Sequence, residues 1–197
     1  MKRGKWIAAV LVSGSLLTGC SSFSPEVTGI SINKKGGISE VVRETFDASY
    51  YSEAELEQEI YTAIGLYTSE NDSRTVKKKS LSVKNGEAVL KMEYASDKDY
   101  AKFNNVGFYL GNISGAIQAG YPFDGSFYQV ITGKIDDSST IWGSSIMSGT
   151  NYKTVVVSEP LLVQVPGTIH YVSENVKVRD KSTAVTESTE VAYILYE

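Results

Sequence analysis

The chain has 197 residues, of which 19 are Lys or Arg, 23 are Asp or Glu, one is His and one is Cys. Three of the basic residues and none of the acidic ones lie in the first 19 positions, so the remainder carries a net charge of −7. An acidic domain is not drawn to nucleic acid or anionic lipid by its overall field, and one Cys with one His cannot supply the usual zinc ligands. We therefore expect no nucleic-acid partner, no metal and no cofactor.

The first 19 residues predict an export signal. Lys2, Arg3 and Lys5 form a basic head, and residues 6–16 are a short apolar run. A charged head, an apolar run and a small-residue processing site are the three parts of a secretory signal. The run is shorter than the ~20 apolar residues that a membrane span needs.

The segment ends with Leu17, Thr18, Gly19 and Cys20, which resemble the lipobox of bacterial lipoproteins. The resemblance implies cleavage after Gly19 and a diacylglyceryl group on Cys20, which a palmitate analogue would label. Two acyl chains anchor a protein durably, whereas one anchors it only marginally. The expected location is the outer face of the cytoplasmic membrane. The alternative is an ordinary signal peptide with a chance cysteine.

Residues 20–28 are expected to form a lipidated tether, and residues 29–197 a single α+β domain. Alternating Ile30 and Ile32, a turn at residues 34–37 and an extended segment at 38–46 predict a β-hairpin. Residues 75–83 and 88–94 predict a second hairpin, because Asn85-Gly86 suits a type I′ turn. The run Lys77 to Lys79 is typical of a charged strand edge.

The helix predicted for residues 53–67 begins with a capping box formed by Ser52 and Glu55. Its apolar stripe is expected to lie in the core; its members are Leu56, Ile60, Ala63, Ile64 and Tyr67. A short helix is predicted near residues 97–104, and one or two helical turns at residues 114–119.

The rest of the chain favours strands. Extended segments are predicted at 106–110, 127–132, 153–157, 161–165, 168–172, 176–179 and 191–196. Residues 136–150 are rich in Ser, Gly and Thr and are interpreted as a loop. The resulting fold class is α+β, with a mainly antiparallel sheet, one amphipathic helix packed on a face of it and one or two short helices.

A further pattern is formed by Lys34, Gly37, Ile38, Glu44, Phe46, Asp47, Tyr50, Tyr51, Glu55, Leu56 and the run from Asp99 to Asn104. Through these residues, most of the mature chain resembles an uncharacterised family of clostridial-type Gram-positive surface lipoproteins. The resemblance implies no activity.

The sequence contains no convincing catalytic set. His170 is the single histidine and is interpreted as a strand residue that faces solvent or is hydrogen-bonded. Ser31 to Lys34 matches Ser-x-x-Lys, but that motif needs a helix start and here lies on a predicted strand. A hydrolase would need two converging carboxylates, and no spacing selects a pair from Asp47, Asp97, Asp99, Asp124, Asp136 and Asp137.

Aromatic residues near loops are the remaining candidates for ligand contact. They are Trp142, Tyr121, Tyr50 and Tyr51, and each of them could equally pack in the core. The sequence therefore predicts an anchored, non-enzymatic protein that binds a protein or an envelope glycan near the membrane. Two alternatives stay open: a carboxylate-based envelope hydrolase, and a carbohydrate-binding module with coplanar exposed rings.

Overall fold

The computed structural model describes residues 23–48, 50, 52–71, 74–147 and 151–197. The predicted signal, Cys20 and Tyr51 lie outside the described residues. The helices that the described residues form are α1 (Glu53–Asn71), α2 (Asp97–Asn104), α3 (Ile113–Gln118) and α4 (Gly143–Ile146). The strands are β1 (Gly29–Ile32), β2 (Ile38–Thr45), β3 (Val76–Lys84), β4 (Glu87–Tyr94), β5 (Phe108–Asn112), β6 (Ser126–Ile131), β7 (Lys134–Trp142), β8 (Lys153–Val157), β9 (Leu162–Gln164), β10 (Ile169–Ser173), β11 (Val176–Val178), β12 (Thr183–Thr186) and β13 (Ala192–Tyr196).

The described strands form two sheets. The seven-stranded sheet has the order β11-β12-β9-β1-β2-β4-β3, and the six-stranded sheet has the order β5-β8-β13-β10-β6-β7. Among the described pairings only that of β1 with β9 is parallel. The α+β class with mainly antiparallel pairing is therefore confirmed, although two sheets are present where a single sheet was expected.

The central strands β8 and β13 of the six-stranded sheet are buried on both faces. Val155 of β8 and Ile194 of β13 belong to the main core, which the seven-stranded sheet shares. Their chain neighbours Val156 and Leu195 point the opposite way, into a second core that α3 and α4 cover. Because successive side chains of a strand alternate between faces, the apolar run of β13 fills both cores at once.

Both predicted hairpins are confirmed. Strand β1 pairs with β2, and β3 pairs with β4. Asn85 and Gly86 have φ angles of 55° and 77°, the left-handed pair that a type I′ turn requires. Strand β3 lies at the edge of its sheet, as the lysine run predicts; Lys78 bonds Glu57 and lies 4.5 Å from the centre of the Tyr61 ring.

The two main helices agree with their sequence predictions to different degrees. Helix α2 begins where expected, and the Ser96 hydroxyl accepts from the Asp99 N–H. Helix α1 extends beyond residue 67 to Asn71, and its apolar stripe is less buried than predicted: Tyr67 is its one buried residue. Ala63 is exposed and Leu56 is only half-buried, because α1 packs mainly on β3, at the rim of the core.

Two segments depart from the expectation. Residues 134–142 form strand β7 rather than a loop, and α4 follows directly. The Ser and Thr side chains of β7 are largely exposed, so backbone pairing with β6 sustains a strand that hydropathy does not reveal. Strand β12 was not predicted; it is four residues long and pairs with β9 and β11.

The predicted tether is held to the domain at its far end. Arg43 donates from Nε to the Pro25 carbonyl at 2.8 Å. The Thr28 hydroxyl bonds the backbone of Arg43, and the Thr28 carbonyl accepts from the Leu162 N–H at 3.1 Å. Residues 25–28 thus belong to the folded body, which shortens the free tether expected for residues 20–28.

Truncating the two-sided strand should destabilise the fold strongly. Leu195 is 0% exposed, so Leu195→Ala should lower the free energy of unfolding by about 2–5 kcal/mol. Leu66→Ala is the matched control, because Leu66 is 60% exposed on α1 and its loss should cost no more than ~0.5 kcal/mol. Urea denaturation followed by circular dichroism measures both; equal effects would contradict two-sided burial.

Candidate binding cleft and buried carboxyl cluster

A large open cleft of about 1090 Å³ lies between the β1–β2 turn, α3 and the start of β8. The β1–β2 turn forms one wall, the junction of β4 with α2 another, and β5 with α3 a third. Tyr152 and the first residue of β8, Lys153, complete the lining, together with Tyr196 of β13. The cleft is therefore built from both sheets.

The turn that forms the first wall is held in place by its own hydrogen bonds. Asn33 accepts through Oδ1 from the N–H groups of Lys35 and Gly37, at 2.8 and 3.2 Å. Gly36 adopts a φ of +88°, and a Cβ there would lie 3.7 Å from Leu110. The Asx turn with a left-handed glycine therefore fixes the backbone position of the lysine pair Lys34-Lys35.

The opposite walls are also fixed by hydrogen bonds from side chain to backbone. Asn112 caps α3 by accepting from the Gly115 N–H at 2.7 Å. Asp97 accepts from the Leu110 N–H at 3.2 Å, which joins α2 to β5. Strand β5 thus enters the cleft in one defined position.

The cleft is positively charged in an otherwise acidic protein. Its lining contains Lys34, Lys35 and Lys153 but only one acidic residue, Asp97. Within the described part of the chain, none of these lysines forms an ion pair. The cleft is thus suited to groups of negative charge.

A cluster of two carboxyls and two tyrosines lies in the main core. Tyr94 donates to Glu40 at 2.5 Å, and Tyr100 donates to Glu159 at 2.6 Å. The two phenol rings meet edge to face with centres 5.1 Å apart. The cluster joins β2, β4, α2 and the β8–β9 connection, so it links both sheets through α2.

Burial dominates the protonation of this cluster. The pKa of Glu40 is raised to about 7: burial is the largest cause, the hydrogen bond from Tyr94 opposes the rise, and the negative charge of the nearby Glu159 adds to it. Burial likewise raises the pKa of Glu159 and of both tyrosines. A carboxyl in a poorly solvated site favours its neutral form.

The described aromatic candidates from the sequence differ in their exposure. Trp142 is 62% exposed at the end of β7, and Tyr50 is 79% exposed. Tyr121 is half-buried and packs against Tyr109 with ring centres 6.3 Å apart. Tyr51, like Leu17, Thr18, Gly19 and Cys20, lies outside the described residues.

The titratable candidates serve the fold. His170 is half-buried, stacks near Tyr152 at 5.2 Å and lies 3.4 Å from Glu197. Burial alone would raise the pKa of Asp99, but hydrogen bonds from Ser96, Thr75 and Tyr67 outweigh it and lower that pKa. Among the described residues, no cluster of His, Cys, Asp or Glu could hold a metal ion.

Sequence reasoning missed the Glu40 cluster, although a signal was present. Ile38, Glu40 and Val42 are alternate residues of β2 and therefore lie on the same face of the strand. The acid thus stands between two apolar residues. An acid at a position that alternation assigns to the core is the pattern of a buried polar group.

Comparison with known proteins found no similar family, protein or structure. No protein-family model matches the chain, and neither the curated proteins nor the solved structures give a significant match. No helix among the described residues is long and apolar enough to cross a membrane.

Stability should fall as pH rises through the range where Glu40 ionises. Because the folded pKa of about 7 exceeds the reference value of 4.5, the unfolded chain releases this proton first. Below pH 4.5, Glu40 therefore does not reduce the free energy of unfolding. Above pH 7, it reduces the free energy of unfolding by its full amount. The cost is on the order of 3 kcal/mol.

Glu40→Gln should remove that cost. At pH 8 the variant should be more stable than the wild type by a few kcal/mol, and near pH 4.5 the two should be similar. Urea midpoints measured across pH 4.5–8 check this. Glu44→Gln, at an exposed position of the same strand, is the control; an equal effect there would contradict the assignment.

Proposed function

We propose that this protein is a lipid-anchored binding protein on the outer face of the cytoplasmic membrane, and that its cleft holds an extended anionic ligand without turnover. The anchor would be a diacylglyceryl group on Cys20, supported by the signal pattern of residues 1–20. The ligand would be an acidic stretch of an envelope glycan or of a protein. The observation that carries the proposal is a set of three lysines in an open cleft of about 1090 Å³, none of which forms an ion pair with another described residue.

The path of the chain supports a cleft that faces away from the membrane. Between Cys20 and the tethered Pro25 the chain can span at most ~18 Å. Strand β1 then runs from the anchored side at Gly29 to the turn that walls the cleft after Ile32. The domain is held close to the bilayer, with its binding surface at the far end of β1.

The alternatives have weaker support. The proximity of Glu40 and Glu159 would support a carboxylate hydrolase. However, each of these carboxyls accepts a hydrogen bond from a tyrosine of the core. The exposed ring of Trp142 would support a carbohydrate-binding module. However, such a module needs several exposed rings, and the other candidate, Tyr121, is half-buried.

Removing the acylated thiol should release the protein. Cys20→Ala should abolish labelling by a palmitate analogue and retention in the membrane fraction, because acyl chains supply the binding energy. Ser21→Ala should leave both intact. Labelling of intact cells followed by fractionation is the measurement. Retention of Cys20→Ala in the membrane would point to an uncleaved signal or another anchor.

Reversing charge in the cleft should weaken anionic ligands. The double variant Lys34→Glu, Lys153→Glu should bind polygalacturonate or poly-glutamate at least about fivefold more weakly. Added salt should weaken wild-type binding through screening, and neutral dextran should not compete. Lys84→Glu, at the exposed end of β3, is the control. Fluorescence anisotropy with labelled polymers gives the affinities.

The same experiment separates the alternatives. A preference for the glycan or for the polypeptide identifies the class of ligand. An equal loss in the Lys84→Glu control would contradict a cleft-specific site. Cleavage of the polymer by the wild type but not by Glu40→Gln would favour the hydrolase over the binding protein.

A further inference from the structure

The inner face of the seven-stranded sheet contains a buried acid, Glu40, that has no counterion among the described residues. Glu40 pairs across the sheet with Ile30 on β1 and Met92 on β4, and it is 7% exposed. Within the described residues, no Lys, Arg or His forms an ion pair with Glu40 or Glu159. Proteins rarely bury a carboxyl that no cation neutralises, because its desolvation is costly.

A groove gives access to this acid from outside. Helix α1 packs mainly on β3 and leaves about 270 Å³ between itself and the inner faces of β2 and β4. Most of the groove is apolar, with Leu56, Ile60 and Met92 among its walls; Glu40, Tyr94 and Asn104 supply polar groups. At roughly 30 Å³ for each water-sized group, it has room for about nine heavy atoms.

The polar end of the groove is rich in acceptors. A carboxylate offers about four lone-pair positions, and the Tyr94 hydroxyl occupies one of those on Glu40. The Asn104 side chain lies within 3.5 Å of the Tyr94 hydroxyl and adds an amide oxygen. An ammonium group brings three donors and the missing positive charge.

We propose that this groove binds a short primary alkylammonium ion, whose charged end meets Glu40 and whose carbon chain lies between α1 and the sheet. The exposed Glu59 at the same groove adds attraction for a cation. This site shares no lining residue with the large cleft, so the proposal stands apart from the proposed function.

Ion pairing predicts a pH dependence for the binding. The ionisable groups that face Glu40 are Tyr94, Tyr100 and Glu159, with Glu59 across the groove. Because the pKa of Glu40 is raised to about 7, the free site is largely protonated at pH 6 and ionised at pH 8. The cation stabilises the ionised form, so affinity should rise over that interval and a proton should be released on binding.

The test uses hexylammonium as the probe and 1-hexanol as its neutral counterpart. Purified protein is titrated with each at pH 6 and pH 8, and binding is followed by NMR shifts. At pH 8, hexylammonium should bind at least about tenfold more tightly than hexanol, and Glu40→Gln should lose about the same factor. Glu44→Gln should change neither affinity by more than about twofold.

A second variant tests the position of the carbon chain. Ala63 lines the groove on the exposed face of α1, so Ala63→Phe should fill it and abolish hexylammonium binding while polymer binding in the cleft persists. Equal binding of hexanol and hexylammonium would overturn the proposal. Unchanged affinity in Glu40→Gln, or no gain between pH 6 and pH 8, would overturn it as well.

Discussion

The fold depends on the burial of β8 and β13 on both faces. Because Val155 and Ile194 point into the main core while Val156 and Leu195 point into the second one, each face needs its own cover. The seven-stranded sheet covers one face, and α3 and α4 cover the other. Helix α1 is left at the rim over β3, which explains both its half-buried stripe and the groove beneath it.

The polar cluster adjoins the main core, where its groups are bonded to one another. Tyr94 and Tyr100 satisfy Glu40 and Glu159, yet neither tyrosine neutralises charge. The free energy that apolar burial supplies must offset this cost. Buried carboxyls with raised pKa values concentrate at functional sites, although structural clusters also contain them. Here the adjoining groove favours a functional role.

Helix α2 connects the cluster to the cleft. Through Tyr100 it bonds Glu159, and through Asp97 it holds the backbone of β5 at the cleft wall. This helix of eight residues thus contacts the cleft through its first residue and the carboxyl cluster through its fourth. A ligand that displaces α2 would therefore shift both the cleft wall and the carboxyl cluster, because the two attachment residues are only three positions apart.

The sequence predicted those turns and helix ends whose conformation depends on neighbouring residues alone. Asn85-Gly86 and the Ser96 cap specify their turn and helix start within four residues of sequence, so both predictions are confirmed. Strand β7 depends instead on backbone pairing with the preceding strand β6 across a two-residue turn, and the hydropathy of residues 134–142 does not contain that information. The lysines of the cleft come from residues 34, 35 and 153, which no spacing connects. Only the pairing of β5 with β8 and the position of the β1–β2 turn bring them together.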